Sequence, residues 1–289
     1  MTKLLMLVTA LAAAPPNAKL LVNAEWLNAH LKDKKLVVIH VASRGEEYEK
    51  GHIEGAVKLT WGEFVHDEGD KAISELPTPA ALKATFEKLG VSDKSTVVVY
   101  GAPMHAARAF MTLEYLGHKD VRLLDGGLPA WKAAGYPTVT EATPAKFGKL
   151  TAKPRDFVVD AAWVDANRTK ARYVLLDARP LDEFAGTETH QGMHAGGHIP
   201  GAQNVYFERF LKSRAEPSFL PEPELRSLFQ RAGATDDKTV VVYCMIGMRA
   251  SVAYFVSRYL GYDTKFYDGS WVDWSARQLP SVKGGEPVK

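Results

Sequence analysis

The chain has 289 residues, of which 46% are apolar and 24% charged, a balance typical of soluble globular proteins with one large domain or two ordinary ones. Its 36 basic and 34 acidic residues are scattered along the sequence and leave a net charge of +2, so we expect no nucleic-acid partner. A single cysteine excludes an internal disulfide, and no Cys/His cluster has metal-ligand spacing, so we expect no metal site.

The first residues, MTKLLMLVTALAAAPPNAK, place one lysine before an apolar run that ends in small residues. This pattern predicts a secretory signal peptide within residues 1–18, and the alternative is a short apolar N-terminal arm. A signal peptide would send the protein to the periplasm or outside the cell, whereas an arm would leave it in the cytoplasm. Neither this run nor any later stretch is long enough for a stable membrane span.

The sequence repeats itself once, with four motifs in the same order in both halves. They are GHIEGA (51–56) and GHIPGA (197–202), LPTP (76–79) and LPEP (220–223), KSTVVVYG (94–101) and DKTVVVYC (237–244), and LLDGGLPAW (123–131) and FYDGSWVDW (266–274). Between the copies, residues 141–156 are rich in Pro, Lys, Thr and Ala and lack periodicity, which predicts a linker. We therefore predict one domain over 19–140 and a second over 157–289.

Short β-branched runs and helical patterns alternate within each half. The runs at 36–41, 97–100, 173–178 and 240–243 are continuously apolar, as in strands covered on both faces. Segments 78–90, 106–117, 221–233 and 249–261 carry apolar residues at helical spacing and end in glycine. The alternation predicts an α/β fold, each domain having a mostly parallel sheet flanked by helices and a ligand site at the carboxyl ends of its strands.

Cys244 directly follows the strand predicted at 240–243, and a helix is predicted to begin near Ala250. A strand, a tight loop and a helix aim backbone N–H groups and the positive end of the helix dipole at one point, which favours a thiolate over a thiol. Gly247 allows the loop a positive φ, and Arg249 adds a fixed positive charge that suits an anion. The competing interpretation is that a lone cysteine after a buried strand is inert packing.

The first half provides a direct comparison for this loop. Its matching segment, GAPMHA at 101–106, has Gly101 in place of the cysteine and no basic residue in place of the arginine. A loop that served only folding would need similar residues in both copies. The difference favours a reactive cysteine in the second domain and a purely structural loop in the first.

These residues resemble the two-domain rhodanese-like sulfurtransferases, in which an inactive first domain packs on a second domain that carries the catalytic cysteine. The resemblance covers almost the whole chain after about Leu20. The motifs that show it are Asp177-Ala178-Arg179, GHIPGA, the loop from Cys244 to Arg249, and YDGSWVDW (267–274) followed by Leu279-Pro280. It implies two rhodanese-like domains in tandem, an inactive one followed by a catalytic one.

The resemblance implies a ping-pong reaction. The Cys244 thiolate would take the outer sulfur of thiosulfate or a related persulfide donor, keep it as a persulfide, and pass it to cyanide, a thiol or a protein thiol. Arg249 and the same N–H groups would serve the nucleophile and the anionic leaving group, so we expect no metal and no organic cofactor.

The resemblance also implies roles for residues around the cysteine. The loop backbone that would cradle the persulfide comprises Met245, Ile246, Gly247 and Met248. Asp177 and Arg179 would hold the strand end near the loop, and Asp268 would form part of the neighbouring wall.

The loop departs from both classical two-domain patterns. Thiosulfate enzymes resemble Cys-Arg-Lys-Gly-Val-Thr and mercaptopyruvate enzymes Cys-Gly-Ser-Gly-Val-Thr, whereas Cys-x-x-Gly-x-Arg is similar to single-domain rhodaneses. Mercaptopyruvate enzymes also carry arginines for the substrate carboxylate soon after Asp-x-Arg, where this chain has Glu183. Because carboxylates repel each other, we rank thiosulfate or a persulfide above 3-mercaptopyruvate as donor.

Two further functions fit parts of the pattern. Cysteine phosphatases and arsenate reductases use a Cys-to-Arg anion loop that is one residue longer, and the shorter loop suits a single persulfide sulfur better than a tetrahedral phosphate. A non-enzymatic rhodanese binding module is expected to lack the nucleophile, which the first half does and the second half does not.

Overall fold

The computed structural model describes residues 17–43, 46–66, 75–144, 146–190 and 193–289. Nearly all of the N-terminal segment predicted at 1–18 lies outside these ranges, so its assignment stays a prediction. No helix within them is long and apolar enough to cross a membrane.

The first half forms a five-stranded sheet of order β1-β5-β4-β2-β3, in which every neighbouring pair is parallel. The strands are β1 (Leu21–Val22), β2 (Leu36–Ala42), β3 (Val57–Thr60), β4 (Thr96–Gly101) and β5 (Val121–Leu124). The helices are α1 (Ala24–His30), α2 (Pro79–Lys88), α3 (Pro103–Tyr115) and α4 (Gly127–Ala133). Helix α3 begins before the predicted residue 106, because proline is well suited to the first turn of a helix.

The second half repeats this plan, with a parallel sheet of order β6-β10-β9-β7-β8. The strands are β6 (Val158–Val159), β7 (Tyr173–Asp177), β8 (Gln203–Asn204), β9 (Thr239–Tyr243) and β10 (Asp263–Tyr267). The helices are α5 (Ala161–Asn167), α6 (Leu181–Ala185), α7 (Glu222–Arg231), α8 (Met248–Tyr259) and α9 (Ser270–Ala276). The predicted α/β fold with two parallel sheets is thereby confirmed.

The two domains dock through α3 and α8. One hydrophobic cluster joins these two helices and the facing sides of both sheets, while each sheet packs a separate cluster on its other side. At the centre of the contact the rings of Phe110 and Phe255 meet edge to face, with centroids 5.0 Å apart and both side chains fully buried. Nearby, the Glu114 carboxylate accepts hydrogen bonds from the Tyr254 hydroxyl at 2.9 Å and from Arg258 Nε at 3.2 Å.

The segment between the domains runs along the first domain. Its described residues, 141–144 and 146–156, contain no helix or strand. The Thr151 N–H donates to the Asp93 carboxylate at 2.6 Å, and the Leu150 side chain is buried. The described residues of this segment thus lack regular secondary structure, as in the predicted linker, while the linker and its boundaries at 140 and 157 stay predictions.

We expect Phe255→Ala to lower the free energy of unfolding by about 3–5 kcal/mol, because it empties a closely packed site between the two domains. The matched control is Phe147→Ala, since Phe147 is 79% exposed and its truncation should change that free energy by less than about 0.5 kcal/mol. Urea denaturation followed by circular dichroism measures both, and equal stability of the two variants would contradict the packing described.

Candidate active site

Cys244 lies at the carboxyl end of β9, the central strand of the second sheet, and its side chain is 1% exposed. Its N–H donates to Ser270 Oγ at 3.2 Å, and its carbonyl oxygen accepts the Trp271 N–H at 3.0 Å. The backbone of the cysteine is therefore held on both sides by the turn that leads from β10 into α9.

Ser270 has a backbone φ of +53°, a left-handed conformation that is unfavourable for a residue with a side chain. Its Oγ donates to the Tyr267 carbonyl oxygen at 2.9 Å while it accepts the Cys244 N–H. These hydrogen bonds offset the cost of the conformation. In the first half Gly127 takes the equivalent place, also with positive φ.

The loop after Cys244 leads directly into α8, which begins at Met248 with Gly247 as its N-cap at φ +86°. Ser251 closes the first turn, since both its N–H and its Oγ donate to the Gly247 carbonyl oxygen at 3.2 and 2.9 Å. The Val272 N–H donates to the Met245 carbonyl oxygen at 3.1 Å and ties the loop to α9. N–H groups in the first turn of a helix have no acceptor within that helix, so this loop carries donors and dipole charge suited to an anion.

Arg249 forms a tight ion pair with Glu183 of α6. Its Nη1 lies 2.8 Å from both carboxylate oxygens, and the Glu183 side chain is 3% exposed. Burial by itself lowers the pKa of Arg249, but the Glu183 hydrogen bond and the negative charge of a Cys244 thiolate raise that pKa above its ordinary value. Arg249 therefore carries a fixed positive charge that a carboxylate partly offsets, because α6 brings Glu183 against the start of α8. Its role in binding an anion stays a prediction.

The ion pair uses only one edge of the Arg249 guanidinium. Nε and Nη2 take no part in it, so a planar pair of donors remains on the other edge. His190 extends the charged chain on the other side of the carboxylate, with its Nε2 3.4 Å from Glu183 Oε1.

Asp177 and Arg179 form a fully buried ion pair at the end of β7. Arg179 Nη2 lies 2.6 Å from Asp177 Oδ2 and also donates to the Gly197 carbonyl oxygen at 2.8 Å. The Arg179 guanidinium lies over the Trp271 ring, 4.7 Å from its centroid. The backbone N–H of Trp271 binds the Cys244 carbonyl, so the ion pair packs on the side chain of a residue whose backbone holds the cysteine. The supporting role of Asp177 and Arg179 stays a prediction.

Asp268 lies on the opposite side of the loop, and both of its carboxylate oxygens bind the first domain. Oδ1 lies 2.7 Å from Nη1 of Arg108, a fully buried residue of α3, and Oδ2 accepts the Leu76 N–H at 2.7 Å. The structure thus brings Asp268 beside the loop, as predicted, but as part of a contact between domains.

The matching loop of the first domain has a backbone that cannot hold a cysteine. Gly101 has φ +154°, and a Cβ added there would collide with the carbonyl oxygen of Val41. Pro103 is the first residue of α3 and lacks an N–H group, which removes one donor from the helix start. The loss of the site in this domain therefore involves the backbone as well as the missing thiol and arginine.

The sequence analysis missed Ser270, Arg108 and the pairing of Glu183 with Arg249. Ser270 could have been found by the comparison that singled out Cys244, because the other copy has a glycine at the equivalent position. Arg108 carries no such signal, since its partner lies in the other half of the chain. Within the described residues, no group of three or more His, Cys, Asp or Glu side chains could hold a metal ion.

Comparison with known proteins agrees with the internal repeat. The model of the rhodanese-like domain matches residues 23–134 and again residues 160–277. The chain is 35% identical over 284 residues to the sulfur carrier protein TtuD of Thermus thermophilus, covering 93% of this chain and 98% of that protein. It is 32% identical to the thiosulfate sulfurtransferase of Corynebacterium glutamicum, covering 93% of this chain and 92% of that protein.

A similar fold occurs in a solved biosynthetic enzyme. The anaerobic ergothioneine biosynthesis enzyme from Chlorobium limicola, solved in complex with trimethyl histidine, superposes with a TM-score of 0.84 at 25% identity. The match covers 94% of this chain and 72% of that one. With two domain matches that span most of its length, the chain belongs to the rhodanese family and carries two rhodanese-like domains in tandem.

Proposed function

We propose that this protein is a sulfurtransferase that moves a sulfane sulfur from thiosulfate, or from a related persulfide donor, to a thiophilic acceptor through a persulfide on Cys244. The observation that carries the proposal is the place of the cysteine: Cys244 lies between the end of the central strand β9 and the first turn of α8, which contains Arg249. The names of the relatives in Thermus and Corynebacterium support the same chemistry.

The proposed reaction has two displacements. The Cys244 thiolate attacks the outer sulfur of thiosulfate, a new S–S bond forms, and the donor S–S bond breaks so that its electron pair leaves with sulfite. The acceptor, such as cyanide, then attacks the outer sulfur of the persulfide and leaves as thiocyanate, which regenerates the thiolate. Every reacting species is an anion, so the helix start and Arg249 can stabilise each of them in turn.

The small size of the site favours transfer of a single sulfur atom. The thiol is almost completely buried, and the loop that curls around it closes within residues 245–248 before Arg249. A persulfide adds one atom to the side chain, whereas a phosphoryl group would need room for three more oxygens. Sulfur transfer is therefore preferred over phosphatase or arsenate reductase chemistry.

The charges near the thiol favour thiosulfate or a persulfide over 3-mercaptopyruvate as donor. Glu183 stands where a carboxylate-binding arginine would be needed, and its own charge would repel the substrate carboxylate. The free edge of Arg249 remains suited to sulfonate oxygens. 3-Mercaptopyruvate is the alternative donor.

A protein thiol is a second class of acceptor. The relative in Thermus thermophilus is named a sulfur carrier protein. The loop of this chain presents partly exposed apolar side chains, Met245, Ile246 and Met248, where an acceptor would approach. Such side chains suit a protein surface better than a small hydrophilic ion.

We expect incubation with thiosulfate to add the mass of one sulfur atom to the intact protein. Cys244→Ser should abolish the gain, and Arg249→Ala should slow it about 10- to 100-fold, because it removes a charged donor from the anion site. Arg258→Ala is the matched control, since this arginine lies on the same helix but pairs with Glu114 at the domain contact.

Three results of the mass experiment and its companion assay would contradict the proposal. A gain that persists in Cys244→Ser would place the sulfur elsewhere. A gain with 3-mercaptopyruvate but none with thiosulfate would reverse the order of donors. Hydrolysis of an aryl phosphate as fast as sulfur transfer would favour the phosphatase alternative.

We expect Glu183→Gln to lower KM for thiosulfate about two- to fivefold, because it removes one negative charge from beside the dianion yet keeps an acceptor for Arg249. Most of the effect should persist at high salt, because the Glu183 side chain is 3% exposed and salt screens buried charges weakly. Glu216→Gln is the control, since this exposed carboxylate pairs with Lys212 away from the loop. An increase in KM for Glu183→Gln would show that its main role is to orient the arginine.

A further inference from the structure

A buried ion pair crosses the boundary between the domains directly behind the Cys244 loop. Arg108 belongs to α3 of the first domain, is fully buried, and lies with its guanidinium 5.4 Å from the centroid of the Phe266 ring. Its Nη1 lies 2.7 Å from Oδ1 of Asp268, which follows β10 of the second domain.

This ion pair contacts the backbone of the loop. A Cβ added to Gly247 would stand 3.0 Å from Arg108 Nη1 and 3.0 Å from Asp268 Oδ1. Gly247 is the N-cap of α8, so the start of the helix that faces Cys244 rests on the pair. A side chain at this position would press on both charged groups, which is one reason for a glycine here in addition to its positive φ.

We propose that Arg108 is a positioning residue of the Cys244 site, and that the first domain thereby supplies part of the active site that its own loop has lost. Arg108 neutralises the Asp268 carboxylate behind the loop and keeps the start of α8 in place. Without the guanidinium, a buried negative charge would lie beside a loop whose chemistry requires a thiolate, a persulfide and an anionic donor, and like charges at short range inside a protein oppose one another.

The other charged groups around the loop cannot take over this role. Arg249 is engaged by Glu183, with His190 beyond it, and Arg179 is engaged by Asp177. The second oxygen of Asp268 accepts the Leu76 N–H, again from the first domain. The first domain thus supplies a hydrogen bond to Oδ2, and for Oδ1 it supplies an ion-pair contact without hydrogen-bond geometry.

The internal repeat provides a second carboxylate at the position equivalent to Asp268. This carboxylate also binds the other domain, but no arginine lies at the place equivalent to Arg108. Asp125, the counterpart of Asp268, accepts the Phe219 N–H of the second domain at 2.9 Å, and Ser251 takes the place of Arg108 in α8. Burial raises the pKa of Asp125 above its ordinary value, in a contact that has no arginine beside the carboxylate. The arginine is therefore present only in the copy of this contact that faces a reactive loop.

A double-mutant cycle tests the proposal through the reactivity of the thiol. The variants are Arg108→Met, Asp268→Asn and the double variant, and the readout is the rate of Cys244 alkylation by iodoacetamide as a function of pH. Arg108→Met should slow alkylation about tenfold at neutral pH and move the midpoint of its pH profile upward by about one unit. The double variant should recover most of that loss, because it leaves no unpaired carboxylate behind the loop.

Arg258→Met provides the matched control for a domain contact that does not touch the loop, since Arg258 pairs with Glu114 across the same interface. It should alkylate as fast as the unmodified protein. Equal losses in Arg108→Met and Arg258→Met, or a double variant no faster than Arg108→Met, would overturn the proposal. If Arg108→Met does not fold, Arg108→Lys replaces it: retention of the charge should limit the loss to about threefold, and a tenfold loss would overturn the electrostatic role.

The inference rests on the proposed function only where it says that Arg108 assists sulfur transfer. The effect of Arg108 on the reactivity of the thiol can be tested separately, because alkylation requires no sulfur donor. If the alkylation rates of the variants change as expected but the protein gains no sulfur from thiosulfate, the result would count against the proposed function alone. Normal loading of sulfur in Arg108→Met, together with unchanged alkylation, would count against the inference alone.

Discussion

The candidate site depends on two backbone hydrogen bonds that tie Cys244 to the turn between β10 and α9. The N–H of the cysteine binds Ser270 and its carbonyl binds Trp271, so the thiol is positioned by two neighbouring strands and not by its loop alone. Trp271 is in turn covered by Arg179, which is locked to Asp177. A nucleophile held in this way needs little reorganisation when its charge changes, because the surrounding dipoles are already in place.

The two domains show how one backbone plan can keep or lose such a site. Both have the same strand order, the same helices after the central strand and the same docking surface through α3 and α8. They differ in the few residues that decide whether an anion can be bound: Gly101 and Pro103 in one loop, Cys244 and Arg249 in the other. The first domain nevertheless contributes to the reactive half, since the Asp268 carboxylate forms an ion pair with Arg108 of α3 and accepts the Leu76 N–H.

Most of the fold was predictable because its signals are local. The apolar runs that became β2, β4, β7 and β9 and the periodic segments that became α2, α3, α7 and α8 lie within a few residues of the predicted positions. The contacts of the site are not local. Arg249 and Glu183 are 66 residues apart, and Leu76 lies 192 residues from Asp268, so no pattern in a short stretch could reveal that these groups meet. The pairing of Arg249 with Glu183 was missed for this reason.

Local patterns in the sequence are enough to predict the repeated α/β plan, the strand–loop–helix unit around Cys244 and the difference between the two copies. They are enough because hydrophobic periodicity, the positions of glycines and the identity of the nucleophile are properties of short stretches. The charge balance around the thiol, in contrast, follows from contacts that form only in the folded chain. Whether a carboxylate such as Glu183 or Asp268 strengthens or opposes an anion site depends on which arginine is folded against it, and electrostatic energies inside a protein are set by distances between residues that the chain brings together only when both domains are docked.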